Sequence, residues 1–223
     1  MKKPLLSILI PVRNEFPSVI HTVHSILNSL ETDGFTPADV ELIIMDNCSY
    51  DRDHNRRGVS GSIDYLRTRG MYWNRVIKTM YYPLAGNHTV RNRGVEMARG
   101  KYIFMSDAHM AYCPHYFSEF IRAVDESGGM VHGVLDWMGA YPPTKGGLGY
   151  TIKLGEEIKG TWNNYWLMDK DGKPAKDWWY ITALGHCSLG CRRDQFLDFG
   201  GYQEHHRCYG GGEFYLNMKW WMF

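Results

Sequence analysis

Tyr102-Ile103-Phe104-Met105-Ser106-Asp107-Ala108-His109 is an apolar run that stops on a polar turn. Residues 101–105 read as a buried strand, and Ser106–His109 as the turn that follows it. In an open α/β sheet, ligands bind beyond the carboxyl ends of the strands. A carboxylate and an imidazole two residues apart on such a turn can both reach one divalent cation. That cation can bridge a diphosphate and neutralise a leaving group. Taken alone, a D-x-H in a loop is also read as solvated surface or a turn-forming Asp. Its meaning comes from the order of the segments around it.

On the N-terminal side, Leu5–Pro11 is a short apolar run, consistent with a central buried strand. After Pro17, apolar residues recur at Val19, Ile20, Val23, Ile26, Leu27 and Leu30, which is helical spacing. Val40–Met45 reads as a second buried strand ending at Asp46. Strand, helix, strand in this order predicts a parallel sheet with a crossover. A helix is expected around Ser62–Thr68, a third strand over Val76–Tyr82 and a helix over Asn87–Arg99, stopped by Gly100. On the C-terminal side, a helix runs from Pro114 through Asp125, and Met130–Trp137 is strand-like. Residues 139–180 hold Gly, Pro, Lys and many aromatics without a clean period. Thr182–Gly190 returns to a strand, and Arg193–Phe199 reads as a short helix. The end, Trp220-Trp221-Met222-Phe223, falls within an apparent helix, so the domain is expected to be truncated there.

Three other segments carry candidate chemistry. Asp46, Asn47 and Asp51 follow the second strand, where a carboxylate can accept from a base N–H or ribose hydroxyls; an Asx turn or helix cap is the alternative. Arg91 offers a planar fork to a diphosphate or base, or a salt-bridged helix residue. Tyr209-Gly210-Gly211-Gly212-Glu213 permits close backbone approach. Its glutamate suits a general base or an acceptor-holding group, or simply a helix N-terminus.

Trp162, Tyr165, Trp166, Trp178, Trp179 and Tyr180 suit stacking on sugar faces, or packing against a core or partner. His186 reads as a satisfied or site-facing histidine. A zinc site from Cys187, Cys191 and Cys208 with His186, His205 or His206 is loosely permitted by spacing, but no repeated C-x-x-C supports it.

The chain has 223 residues, 44% hydrophobic and 22% charged, enough for one sizeable folded domain. A net charge of +1 gives no argument for nucleic acid. Leu5–Val12 is too short for a membrane span and runs into Arg13-Asn14-Glu15. Five widely spaced cysteines argue against a disulfide framework and for a reducing, cytoplasmic setting.

Several blocks together resemble a known family. Leu6-Ser7-Ile8-Leu9-Ile10-Pro11-Val12-Arg13-Asn14-Glu15 resembles the opening strand and loop of family 2 glycosyltransferases, which have the GT-A fold. Ile43–Asp51 resembles their second-strand V-D-D-G-S-x-D segment. Val90–Ile103 is similar to their A-R-N-x-G-x-x-x-A-x-G-x-Y-I stretch and runs directly into the metal motif. The D-x-H ending, Phe199-Gly200-Gly201-Tyr202 and Gly211-Gly212-Glu213 are similar to segments of polypeptide N-acetylgalactosaminyltransferases. The likeness spans Leu5 to Glu213.

The resemblance implies one α/β domain over residues 1–223. A nucleotide-sugar-binding half would occupy 1–110, and an acceptor-side half 111–223. It implies transfer of a hexosyl or N-acetylhexosaminyl group from a nucleoside diphosphate sugar, a UDP-sugar, to a hydroxyl of a glycan, lipid or protein acceptor. Pro11, Arg13, Glu15, Asp46, Asp51 and Arg91 would line the nucleotide with Asp107. Asp107 and His109 would hold Mn²⁺ or Mg²⁺. Trp178, Trp179, His186, Gly211 and Gly212 would face the acceptor. Glu213 would be the base in an inverting reaction, or an acceptor-binding residue in a retaining one. Two departures stand out. Phe214 and Leu216 replace the second acidic group often found after the Glu, and the chain stops before the further His that completes the metal shell in D-x-H relatives. A nucleotidyltransferase would show a Gly-rich basic loop after the first strand, which Pro11–Glu15 does not supply. A non-catalytic nucleotide- or carbohydrate-binding domain is the other alternative, and turnover of a UDP-sugar separates it from the enzyme.

Overall fold

The computed structural model describes residues 3–50, 76–83, 86–133, 135, 147–153, 159–165, 184–204 and 212–222, apart from the side chains of 147–153, 159–165, 213 and 214. β1 (Leu6–Val12), β2 (Val40–Asn47), β3 (Ile77–Tyr82) and β4 (Tyr102–Ser106) lie parallel, with β1 between β2 and β4. β8 (Ser188–Arg192) pairs antiparallel with β4, and β5 (Val131–His132) with β8. The sheet order is β3-β2-β1-β4-β8-β5. Pro11 has no N–H to give. It sits beyond the last β1–β4 pair, Leu9 with Met105, where the ladder loses nothing on that side.

The central strands β1, β2 and β4 are largely apolar on both faces because both faces are covered. On β1, Leu6, Ile8 and Ile10 join α1 (Ser18–Thr32) and α3 (Tyr116–Ser127) in one core, which also holds Phe104 and Phe117. Leu9 joins Ile43, Met45, Ile103 and Met105 in the other, closed by α2 (Asn87–Met97), α4 (Arg193–Asp198) and α5 (Gly212–Met222).

α3 starts after His115, whose φ is 63°, and has no cap from that residue. Asp33, at the end of α1, supplies one instead. Its Oδ2 accepts from the Phe117 and Ser118 N–H groups at 3.0 and 3.1 Å. Orphan donors of a helix N-terminus are met here by a residue far away in sequence.

The structure differs from the sequence reading in several places. α2 stops at Met97, because Ala98 is extended (ψ 145°) so that Gly100 can lie against Ser7. The strand expected over Thr182–Gly190 begins only at Ser188, where it finds Ser106 to pair with. Of the expected Met130–Trp137 strand, Val131–His132 joins the sheet among the described residues. Within 139–180, read as lacking a period, Gly147–Lys153 (β6) and Lys159–Tyr165 (β7) form an antiparallel pair. Cross-strand bonding builds this pair where Gly interrupts any side-chain alternation. The helix expected around Ser62–Thr68 lies outside the described residues. Among those residues, no helix is long and apolar enough to cross a membrane.

Candidate active site

The candidate residues gather where β1, β2 and β4 end. Asn14, with φ 57°, turns the chain out of β1. Its N–H donates to Ser49 Oγ (3.0 Å), and its Oδ1 accepts from the Tyr50 N–H (2.8 Å). Ser49 N–H in turn donates to Asp46 Oδ1 (2.9 Å). Asp46 therefore closes the turn that ends β2, and the loops after β1 and β2 are tied into one unit. The Arg13 guanidinium lies 5.8 Å from the centre of the Tyr50 ring. Asn47 Oδ1 accepts from the Gly86 N–H at 2.9 Å, which anchors the start of α2 to the tip of β2.

α2 carries Arg91 and Asn92, which face different tasks. Asn92 is buried, gives its Nδ2–H to Tyr202 O and accepts from the Tyr202 N–H, both at 2.9 Å. It clamps the Gly201-Tyr202 turn. Arg91 is also buried. Its Nη1 donates to Asn87 O (3.3 Å) and its Nη2 to Asp107 Oδ1 (3.4 Å). Its Nε is buried with no partner among the described residues.

Asp107 continues the β4–β8 ladder through its N–H, which donates to Cys187 O (3.1 Å). Ala108 is buried, whereas the side chains of Asp107 and His109 are 32% and 56% exposed. Both can thus meet an incoming ligand. The turn is held by α1. Buried Thr22 donates from Oγ1 to Ala108 O (2.8 Å) and accepts from the Met110 N–H (2.9 Å), one bond on each side of His109. On the same helix, Ser25 donates to Tyr112 O and accepts from the Tyr112 N–H, and Ser29 donates to Cys113 O. His109 Nδ1 lies 2.7 Å from Glu15 Oε2. That hydrogen bond, with the charges of Glu15 and Asp107, raises the His109 pKa against the opposing effect of burial.

His186 precedes β8 and is buried, with Nε2 lacking a partner among the described residues. Burial first, then electrostatic interaction with Arg91, His88 and His132, holds it well below the usual imidazole value, so the ring is neutral at pH 7. It meets the Tyr202 ring edge-on at 4.9 Å, and His88 stacks on the same ring at 5.4 Å. A Cβ on Gly212 would fall 1.9 Å from His88 Nε2, so the start of α5 can approach α2 only as glycine.

The structure thus brings Arg91, Asp107, His109 and Glu15 together through direct contacts. Asp46 lies at the end of the neighbouring strand β2 and Arg13 on the loop after β1, and Gly212 abuts His88. Glu213 falls in the first turn of α5. Asp51, Trp178, Trp179 and Gly211 lie outside the described residues. Thr22 and His88 were not singled out from sequence. Thr22 carried a signal, a hydroxyl at helical spacing with those of Ser25 and Ser29 on α1; His88 carried none. No group of three or more His, Cys, Asp or Glu suited to a metal forms among the described residues. Cys191 is buried, which pushes its thiol pKa up, and Cys208, His205 and His206 of the zinc alternative lie outside the described residues.

A mainly parallel sheet carries a carboxylate, an imidazole and a guanidinium at its carboxyl edge, where open α/β folds bind their ligands. Residues 7–194 match the model of Glycosyl transferase family 2, and the chain belongs to that family. It has the GT-A fold. Its fold is similar to the crystal structure of GalNAc-T7 with UDP, GalNAc and Mn²⁺ (TM-score 0.74, 18% identity, 98% of this chain and 40% of that one). It is also similar to S. aureus TarS (TM-score 0.61, 15% identity, 96% of this chain and 33% of that one). For TarS 1-349 the TM-score is 0.61 and the identity 14%, over 96% of this chain and 54% of that one. The chain therefore spans about half or less of each of these structures. No curated protein matches it in sequence.

Proposed function

We propose that this domain transfers a hexosyl or N-acetylhexosaminyl group from a UDP-sugar to a hydroxyl of a glycan, lipid or protein acceptor. The observation that carries the reading is the meeting of Arg91 with Asp107, two residues before His109, at the end of β4. The family match and the UDP and Mn²⁺ bound to GalNAc-T7 support it.

Asp107 and His109 supply one carboxylate oxygen and one imidazole nitrogen, a donor set that suits Mn²⁺ or Mg²⁺. Both are exposed enough to bind, and the unpartnered Nε of Arg91 beside them fits a site made for an anion. When bound, such a cation would stabilise the charge that develops on a departing diphosphate. Arg91 adds a fixed positive fork, already oriented by Asn87 O, so little reorganisation remains as that charge grows. The joined loops after β1 and β2, with Pro11, Arg13, Asp46 and Asp51, form the nucleoside side in this reading. Residues 1–110 are its donor half and 111–223 its acceptor half. His186, Trp178, Trp179, Gly211 and Gly212 face the acceptor. Glu213 serves as base if the sugar inverts, or holds the acceptor if it is retained; the anomer of the product, read by NMR, decides between them.

Calorimetric titration of UDP with Mn²⁺, and again with EDTA, on the wild type and Asp107→Ala tests the proposal. Binding that needs both the metal and Asp107 supports it and leads to turnover assays with UDP-sugars. Absence of UDP binding under every condition removes the UDP-sugar reading, and UDP binding without turnover favours a binding domain.

A further inference from the structure

The loop after β1 and the turn after β4 meet through one side-chain pair, Glu15 and His109. Glu15 Oε2 lies 2.7 Å from His109 Nδ1. An ionised carboxylate can only accept, so the ring nitrogen facing it must carry the hydrogen. In the neutral ring this leaves the Nε2 lone pair as the only one that can bind a cation.

Both members of the pair are fixed to the same helix. Glu15 O accepts from the Val19 N–H (3.0 Å) in the first turn of α1. Further along α1, Thr22 holds the backbone on both sides of His109. The ring is thus fixed at its main chain by Thr22 and at Nδ1 by Glu15.

We propose that Glu15 is a positioning residue that fixes the tautomer and aim of His109, so that Nε2 is the atom offered to the metal. The inference rests on the metal reading above. It gives Glu15 a task at the cation rather than at the nucleotide. Carboxylates placed this way orient metal-binding histidines, and their loss typically weakens metal affinity by about 10–100-fold.

Two measurements test it. The first is ¹⁵N–¹H NMR of the His109 ring without metal, at a pH where the ring is neutral. The second is Mn²⁺ titration followed by electron paramagnetic resonance in the presence of UDP. The wild type should show hydrogen on Nδ1. Glu15→Ala should lose that preference and bind Mn²⁺ about 10–100-fold more weakly. Glu15→Gln, whose amide oxygen still accepts, should keep the tautomer and recover part of the affinity, which guards against a mere folding defect. Hydrogen on Nε2 in the wild type, or undiminished Mn²⁺ binding by Glu15→Ala, overturns this inference alone. A wild type with the expected tautomer but no Mn²⁺ binding overturns the metal reading, and the role of the pair with it.

Discussion

Arg91 Nη2 lies 3.4 Å from Asp107 Oδ1, and the guanidinium that makes this reach from α2 is only 6% exposed. A buried cation held at the edge of a ligand site, with its Nε unpartnered among the described residues, is poised for a second anion. Arg91→Lys keeps the charge but loses the fork. It is expected to weaken UDP binding by about 10-fold or more, in line with about 1.5–3 kcal/mol for a hydrogen bond to a charged group. Calorimetry at fixed ionic strength checks this, and an unchanged affinity would reduce the pair to a structural one.

Thr22 should matter through its hydroxyl rather than its size. Thr22→Val leaves the buried Ala108 C=O and the partly buried Met110 N–H without their partner. Stability should fall by about 1–3 kcal/mol for each group left unmet, and Mn²⁺ affinity should fall as the His109 turn loosens. Thr22→Ser keeps both bonds and should restore the metal affinity. Urea unfolding paired with Mn²⁺ titration reads both effects. Equal metal binding by the Val and Ser variants would show that the turn holds without α1.

Glu41 predicts an acid-sensitive contribution to stability at the far end of the sheet. It is buried in β2 and bonded by Ser7 Oγ (2.6 Å), by Lys78 and by the Arg99 N–H. Burial alone would raise its pKa, but the bonds from Lys78, Ser7 and Arg99 outweigh this and hold it below the ordinary 4.5. A carboxyl depressed on folding stabilises fully above its unfolded value. Its contribution fades as pH falls through the lower folded value. The urea midpoint of the wild type should therefore drop below about pH 4.5 more steeply than that of Glu41→Gln, which has no proton to take up there. Parallel slopes would show that Glu41 is not the group responsible.

Gly100 marks the closest approach of the α2–β4 connection to β1. A Cβ there would sit 2.6 Å from both Ser7 N and Ser7 Oγ. Ser7 Oγ also accepts the Gly100 N–H at 2.8 Å, so the strand cannot yield without losing that bond. Gly100→Ala is expected to cost about 1–3 kcal/mol, the usual range for overpacking. Denaturant unfolding measures it, and a neutral result would mean that β1 and the connection can move apart freely.

The strands β1, β2 and β4, and the helices α1 and α2, were legible in the sequence because their signals are local. Apolar runs mark strands covered on both faces, and Val19, Val23, Ile26 and Leu30 repeat at the pitch of a helix. The position of Asp107 and His109 after β4 followed from the same runs. The hairpin of β6 and β7 did not, since its order comes from cross-strand bonding in a Gly-interrupted stretch. The start of β8 depended on where Ser106 was available to pair.

By itself, the sequence determined the parallel α/β core, the family and the residue types at the sheet's edge, because these follow from periodicity and short motifs. Tertiary structure alone decided what those residues do to one another. Asp33 caps a helix 83 residues after it in the chain (116 − 33 = 83), and Thr22 brackets His109 from another element. Arg91 is turned onto Asp107 and Glu15 onto His109. Such contacts depend on the angles and distances between packed elements, and no linear pattern encodes them until hydrophobic burial has brought α1, α2 and the end of β4 together.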